Sequence, residues 1–232
     1  MREGEALIRE SRRMALESSD VYELFGPTMT TLANCDFEGS WEGTVETARE
    51  LVEIAETSAP AMAPVARACL GATMVHCGEP EAGLQFLEAW ILSTGDNPQM
   101  GMSPLLCCWA ARAYGVCGDP GRALETLERG LEALVYPREE ANLLLERARW
   151  LVASQCTLSD ESLRSTLDRA RVLIERMGSV VHAPRLVEIE ARAARLAGDE
   201  ALHRERLAEA RRLYQEVGAR GHLERLAQEF DA

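Results

Sequence analysis

The sequence predicts an all-α chain built as a right-handed α-α superhelix of about five 40-residue helical hairpins, and three observations predict it. First, helix-breaking triplets recur on one spacing: Gly118-Asp119-Pro120 stands 40 residues after Gly78-Glu79-Pro80, and Gly198-Asp199-Glu200 stands twice 40 after that. Second, large and small residues keep the same register. Leu87, Leu127, Leu167 and Leu207 are each 40 apart, followed three residues later by Trp90, Gly130, Ala170 and Ala210. Gly71, Ala111, Leu151 and Ala191 hold the register upstream, three of them small, as close helix contacts require. Third, apolar residues fall at three- and four-residue steps, as in Leu124, Leu127, Leu131 and Leu134, with no strand-like alternation.

Helices are expected over 3–18, 20–35, 41–56, 62–77, 80–94, 103–117, 120–134, 139–156, 159–177, 184–197, 200–216 and 219–230. Each unit reads as a first helix, a tight Gly-Asp/Glu-Pro turn that puts Pro at the first helical position, and a second helix. In the fourth unit Leu158-Ser159-Asp160-Glu161 supplies a helix N-cap where the glycine turn is missing. Looser connections fall at Ser58-Ala59-Pro60, Gly95-Asp96-Asn97-Pro98, Tyr136-Pro137 and Met177-Gly178-Ser179. No linker is long enough to divide the chain, so residues 1–232 read as one helical-repeat domain. The register makes 3–18 a second helix without a first, leaving Leu7, Ile8, Met14 and Leu16 thinly covered. Two explanations stand open: a piece of a longer multidomain protein, or a homodimer formed through this end.

These marks resemble the tetratricopeptide repeat. Tyr114, Gly118, Ala123, Leu127 and Gly130 fall where that pattern has its Tyr, turn Gly, small residue, large apolar residue and Ala; Leu70, Gly71, Gly78, Gly83 and Leu87 repeat the match. Ala191, Gly198, Leu207 and Ala210 do so again. The period is 40 rather than the usual 34, Pro80 and Pro120 replace the Tyr after the turn, and the units around Gly43 and Leu163 match poorly. The chain is similar to the divergent repeat arrays at the C-terminal end of large bacterial signalling proteins, where a cyclase, kinase or LuxR-type DNA-binding module is joined to an ATPase module and then to repeats. The segment from Ala210 to Leu226 resembles the way those regions end. The resemblance implies a binding or regulatory role.

Composition narrows the function classes. The chain of 232 residues has a net charge of -13, and all 25 basic residues are Arg, none Lys. That excess of acid argues against nucleic-acid binding, which needs clustered positive charge. Residues 1–60 hold 13 acids and 5 Arg, residues 61–160 hold 12 and 7, and residues 161–232 hold 13 of each, so the charge is graded along the chain. No apolar run reaches the roughly 20 residues that cross a bilayer, and Met1-Arg2-Glu3 opens no export signal; no membrane partner is implied. The seven Cys form no CxxC pair, and five of them lie in apolar stretches, which suits a reducing cytoplasm. Cys69, His76 and Cys77 share a helical stripe, but no fourth ligand is spaced to join them, so no metal site is expected.

Catalytic motifs are absent: there is no GxxxxGK[ST], GxSxG or HExxH, and without Lys there is neither phosphate-loop nor Schiff-base chemistry. An enzyme is not expected, and no cofactor is implied. His182, His203 and His222 read as solvated surface residues, and the carboxylate pairs Glu139-Glu140 and Glu188/Glu190 as helix starts or solvent faces. The expected site is the concave face lined by first helices: Val75 and His76; Leu105, Cys108, Arg112 and Val116; Leu145, Val152 and Gln155; Arg185, Arg192 and Arg195. An apolar middle with an Arg-rich far end suits a partner helix or a peptide acidic toward residues 185–195. The plainer alternative packs the apolar members against one another and ties Arg112, Arg192 and Arg195 to Glu88, Glu188 or Glu190. Two rival functions remain open: a small-effector sensor around His76, Arg112 and Gln155, and a homo-oligomerisation scaffold.

Overall fold

The computed structural model describes residues 7, 10, 11, 13–15, 17, 21–94, 104–133 and 136–230. Among the described residues the chain is all helical, with no strand. Its helices are α1 (Val21–Glu38), α2 (Thr44–Ser58), a 3-10 turn (Pro60–Met62), α3 (Ala63–His76), α4 (Pro80–Thr94), α5 (Pro104–Val116), α6 (Pro120–Glu132), α7 (Pro137–Ala153), α8 (Glu161–Met177), α9 (Ala183–Leu196), α10 (Glu200–Val217) and α11 (Arg220–Phe230). The described residues between 7 and 17 are helical too. Every expected helix end that falls on described residues lies within three residues of the observed one. Ile8, Leu16, Leu134 and the Gly95-Asp96-Asn97-Pro98 connection lie outside the described residues.

The chain divides into two compact units, residues 1–95 and 96–232. In the first, α1 packs on α2 and α3, α2 on α3, and α3 on α4. The α3–α4 crossing is built on glycine: a Cβ on Gly71 would lie 2.6 Å from the Gly83 carbonyl oxygen and 2.9 Å from Phe86 Cβ. Only a missing side chain lets these two backbones come so close. Small residues dominate the rest of this core, with Ala48, Ala55 and Ala66 fully buried beside Leu51 and Leu70.

In the second unit α5 pairs with α6, α7 with α8, and α9 with α10, while the first helices α5, α7 and α9 also pack in sequence. The predicted leucines carry the core: Leu127 is fully buried and Leu167 and Leu207 are 2% and 8% exposed. Each such burial stabilises by about 1.5–3 kcal/mol. The hairpin turns follow their sequence marks. Gly118 and Gly198 take φ of 89° and 75°, a left-handed conformation that glycine adopts without strain. Asp119 and Asp199 then cap α6 and α10, their carboxylates accepting from the amides of Arg122 and Leu202 at 3.0 Å.

The fourth turn differs. α7 stops at Ala153, and Gln155 takes the left-handed position with φ 69°, the one described non-glycine residue to do so. Asp160 precedes α8 as expected, but its carboxylate turns back to the Thr157 amide. Two further expectations are corrected. His182 and His203 are 1% and 7% exposed, not solvated, because each ring reaches a hydrogen-bond partner inside the unit. Glu188 and Glu190 are 8% and 7% exposed rather than on a solvent face, because arginines from neighbouring helices neutralise them.

Candidate functional site

The first helices of the second unit carry a connected set of charges, and Glu146 on α7 is its inner point. Its neighbour Trp150 lies across α5 at Gly115, where any Cβ would overlap the indole ring. That fit brings Glu146 against α5. The carboxylate is fully buried. It accepts from Arg112 Nη2 at 2.9 Å, Arg185 Nη2 at 3.2 Å, Trp150 Nε1 at 3.2 Å and Arg149 Nη1 at 3.4 Å. Burial works to raise its pKa, but the guanidiniums of Arg112, Arg149 and Arg185 outweigh that and hold it at about 2. Asn142 Oδ1 accepts from Arg185 Nη1 at 3.3 Å and pairs with His182 Nε2 at 3.1 Å, so the ring Nδ1 is left to accept from the Ser179 hydroxyl.

A second carboxylate repeats the arrangement farther along α9. Glu188 accepts from Arg225 Nη2 and Tyr214 Oη at 2.7 Å each, and from Arg192 Nε at 2.9 Å. Burial again opposes its charge, and Arg225, Arg192 and the Tyr214 hydroxyl bring it to about 2. Burial first, then the Glu188 charge, pushes the Tyr214 phenol well above its ordinary value. Arg192 continues to Glu229 on α11 through two bonds of 2.6 Å. The His222 ring stacks on Tyr214 with centroids 4.7 Å apart.

Within these two clusters five guanidiniums (Arg112, Arg149, Arg185, Arg192, Arg225) thus meet three carboxylates (Glu146, Glu188, Glu229), an excess of two positive charges in a chain of net charge -13. The set is graded in depth. The side chains of Arg112 and Arg185 are 10% and 12% exposed, whereas those of Arg149 and Arg225 keep 45% and 41%. Arg149 also lies within reach of the charges on Glu188 and Arg225, linking the two clusters. Arg112 and Arg185 are thus buried with the carboxylate they pair, and Arg149 and Arg225 keep part of their side chains in solvent.

The structure brings Arg112, Arg185 and Arg192 of the expected site into this network, and Cys108 stands close enough to feel Glu146, Arg185 and Arg112. Leu145 is fully buried, Val152 packs against the same core, and Leu105 is half-buried. Val116 is exposed, Gln155 stands in the turn after α7, and Arg195 lies over the Phe230 ring at 5.0 Å. In the first unit Val75 is buried and His76 stacks on Trp41, centroids 3.9 Å apart and nearly parallel. Among the described residues no three His, Cys, Asp or Glu gather as metal ligands. No helix among them is long and apolar enough to cross a membrane.

Sequence reasoning did not single out Glu146, Arg149, Asn142, Tyr214 or Arg225. One signal was available: Asn142 and His182 are 40 residues apart, so the repeat register places them at the same level of adjacent first helices. No family model matches this chain, and no curated relative matches it either.

Proposed function

We propose that this chain is a non-catalytic interaction module, cytoplasmic and regulatory, whose hairpins stack as turns of a right-handed tetratricopeptide-like superhelix. The first-helix face of the second unit receives a peptide or partner helix that carries acidic side chains. One observation supports this above the others: the surplus of arginine over carboxylate within the two clusters, with Arg149 and Arg225 partly exposed above buried, paired charges. An acidic side chain arriving there meets donors that are already oriented, so little side-chain entropy is lost on binding. The deep pairs Arg112–Glu146 and Arg192–Glu188 fix the spacing of the helices that display those donors. The 40-residue register and the resemblance to repeat regions of bacterial signalling proteins favour such a role over chemistry.

The test is a selection of random peptides on the immobilised chain at low and at physiological salt. Enrichment of Asp and Glu spaced three or four residues apart is expected, with retention falling as salt rises. Selection of basic or uncharged peptides indifferent to salt would contradict the proposal.

A further inference from the structure

A separate hollow of about 510 Å³ lies in the second unit where the end of α9, the first half of α10 and the end of α11 meet. Arg195, His203, Arg204, Leu207, Arg211 and Phe230 line it. Among the described residues neither Arg195 nor Arg204 has a carboxylate partner. Arg195 lies over Phe230, and Arg204 Nε donates to the Glu200 backbone carbonyl at 3.1 Å. By contrast, Arg112, Arg185, Arg192 and Arg225 of the two clusters are all paired with carboxylates. Glu229 also borders the hollow, but both its oxygens are committed to Arg192 at 2.6 Å. Glu200 is the other acid at the rim.

The walls are of two kinds. Phe230 and Leu207 give an apolar side, with the His203 ring tilted 51° to the Phe230 ring at 5.3 Å. The His203 Nδ1 is held by the Ala191 carbonyl at 2.9 Å, which fixes the ring as part of the wall. Guanidinium donors come from Arg195, which lies over the Phe230 ring, and from Arg204 and Arg211 on α10. The volume matches cavities that take small molecules, roughly 300–1,000 Å³, rather than the long face a peptide covers.

We infer that this hollow is a binding site for a small organic oxyanion, a carboxylate or phosphate on an apolar or aromatic body. The anionic group bonds Arg195 and Arg204, with Arg211 beside them, and the body lies against Phe230 and Leu207. The anion-holding Arg195 and Arg204 take no part in the Glu146 and Glu188 clusters; Glu229, bonded to Arg192, borders both.

Isothermal titration of the full chain at low salt with phenyl phosphate and with 3-phenylpropionate tests it and tells the two oxyanions apart; benzyl alcohol is the uncharged control. At least one acid should saturate one site while benzyl alcohol does not. Arg195→Gln and Arg204→Gln should each weaken that acid roughly tenfold, the loss of one charge-assisted bond. Both side chains are exposed and without an ion pair among the described residues, so the variants keep their helix circular dichroism. Phe230→Ala should weaken binding as well. Failure of both acids to saturate, or affinities unchanged in both arginine variants, would overturn the assignment.

Discussion

Arg112 and Glu146, 34 residues apart on α5 and α7, meet at 2.9 Å with the carboxylate wholly out of water. A buried pair of this kind adds little net stability, but removing one partner strands the other. The two sides are unequal here, since Glu146 also serves Arg185 and Arg149. Glu146→Gln should therefore destabilise the second unit by about 3–5 kcal/mol, and Arg112→Met by clearly less. Urea unfolding of both variants followed by helix circular dichroism checks the order. Equal costs would contradict it.

Acid should loosen the second unit through the same groups. The ordinary carboxyl value of 4.5 falls to about 2 in Glu146 and in Glu188. A carboxylate depressed on folding gives stability that is complete above the unfolded value and is lost as pH falls through the folded one. Urea midpoints should thus drop between pH 4.5 and pH 2, and Glu188→Gln should flatten that slope. A midpoint independent of pH over this window would exclude the linkage.

Glycine contacts separate tight crossings from open ones. Gly115→Ala and Gly71→Ala should each cost about 1–3 kcal/mol by overpacking, because the new methyl meets the Trp150 ring in one case and the Gly83 carbonyl in the other. At Gly121 the nearest atom would be the Asp119 carboxylate at 3.5 Å. Gly121→Ala should gain about 0.4–1 kcal/mol from the stiffer unfolded chain. Thermal melts of the three variants give the comparison.

The turn after α7 carries strain that glycine relieves. Gln155 at φ 69° should yield roughly 1 kcal/mol of added stability on Gln155→Gly. Loss of stability instead would show that its side chain holds the turn.

Thiol reactivity should report the core. Burial raises Cys69 and Cys107 to about 12 and Cys108 well above its ordinary value, while Cys77 is exposed. A thiol reagent should label Cys77 in the native protein and reach the other three only on unfolding.

The 40-residue register placed Leu127, Leu167 and the Gly118 and Gly198 turns because periodic packing and backbone chirality are local facts written into consecutive units. Glu146 and Glu188 were not legible. Each sits among many glutamates of the same spacing, and what buries them is arginine 34, 39 or 37 residues away. His203 was hidden differently: it occupies the buried position held 40 residues earlier by Leu163, which its polarity disguises. Gln155 reads as a first-helix residue only if α7 runs as far in the 40-residue register as α9, which ends at Leu196; α7 stops at Ala153, three positions earlier in that register.

The most direct test of the acidic-partner face uses a selected peptide and two arginines of equal charge. Affinity is measured by fluorescence anisotropy for Arg149→Gln, on the first-helix face, and for Arg164→Gln, on the second helix α8. Arg164 is exposed and paired with Glu161 alone among the described residues. Arg149→Gln should weaken binding roughly tenfold and Arg164→Gln should leave it unchanged. Equal losses, or a loss confined to Arg164→Gln, would contradict a partner seated on the first helices.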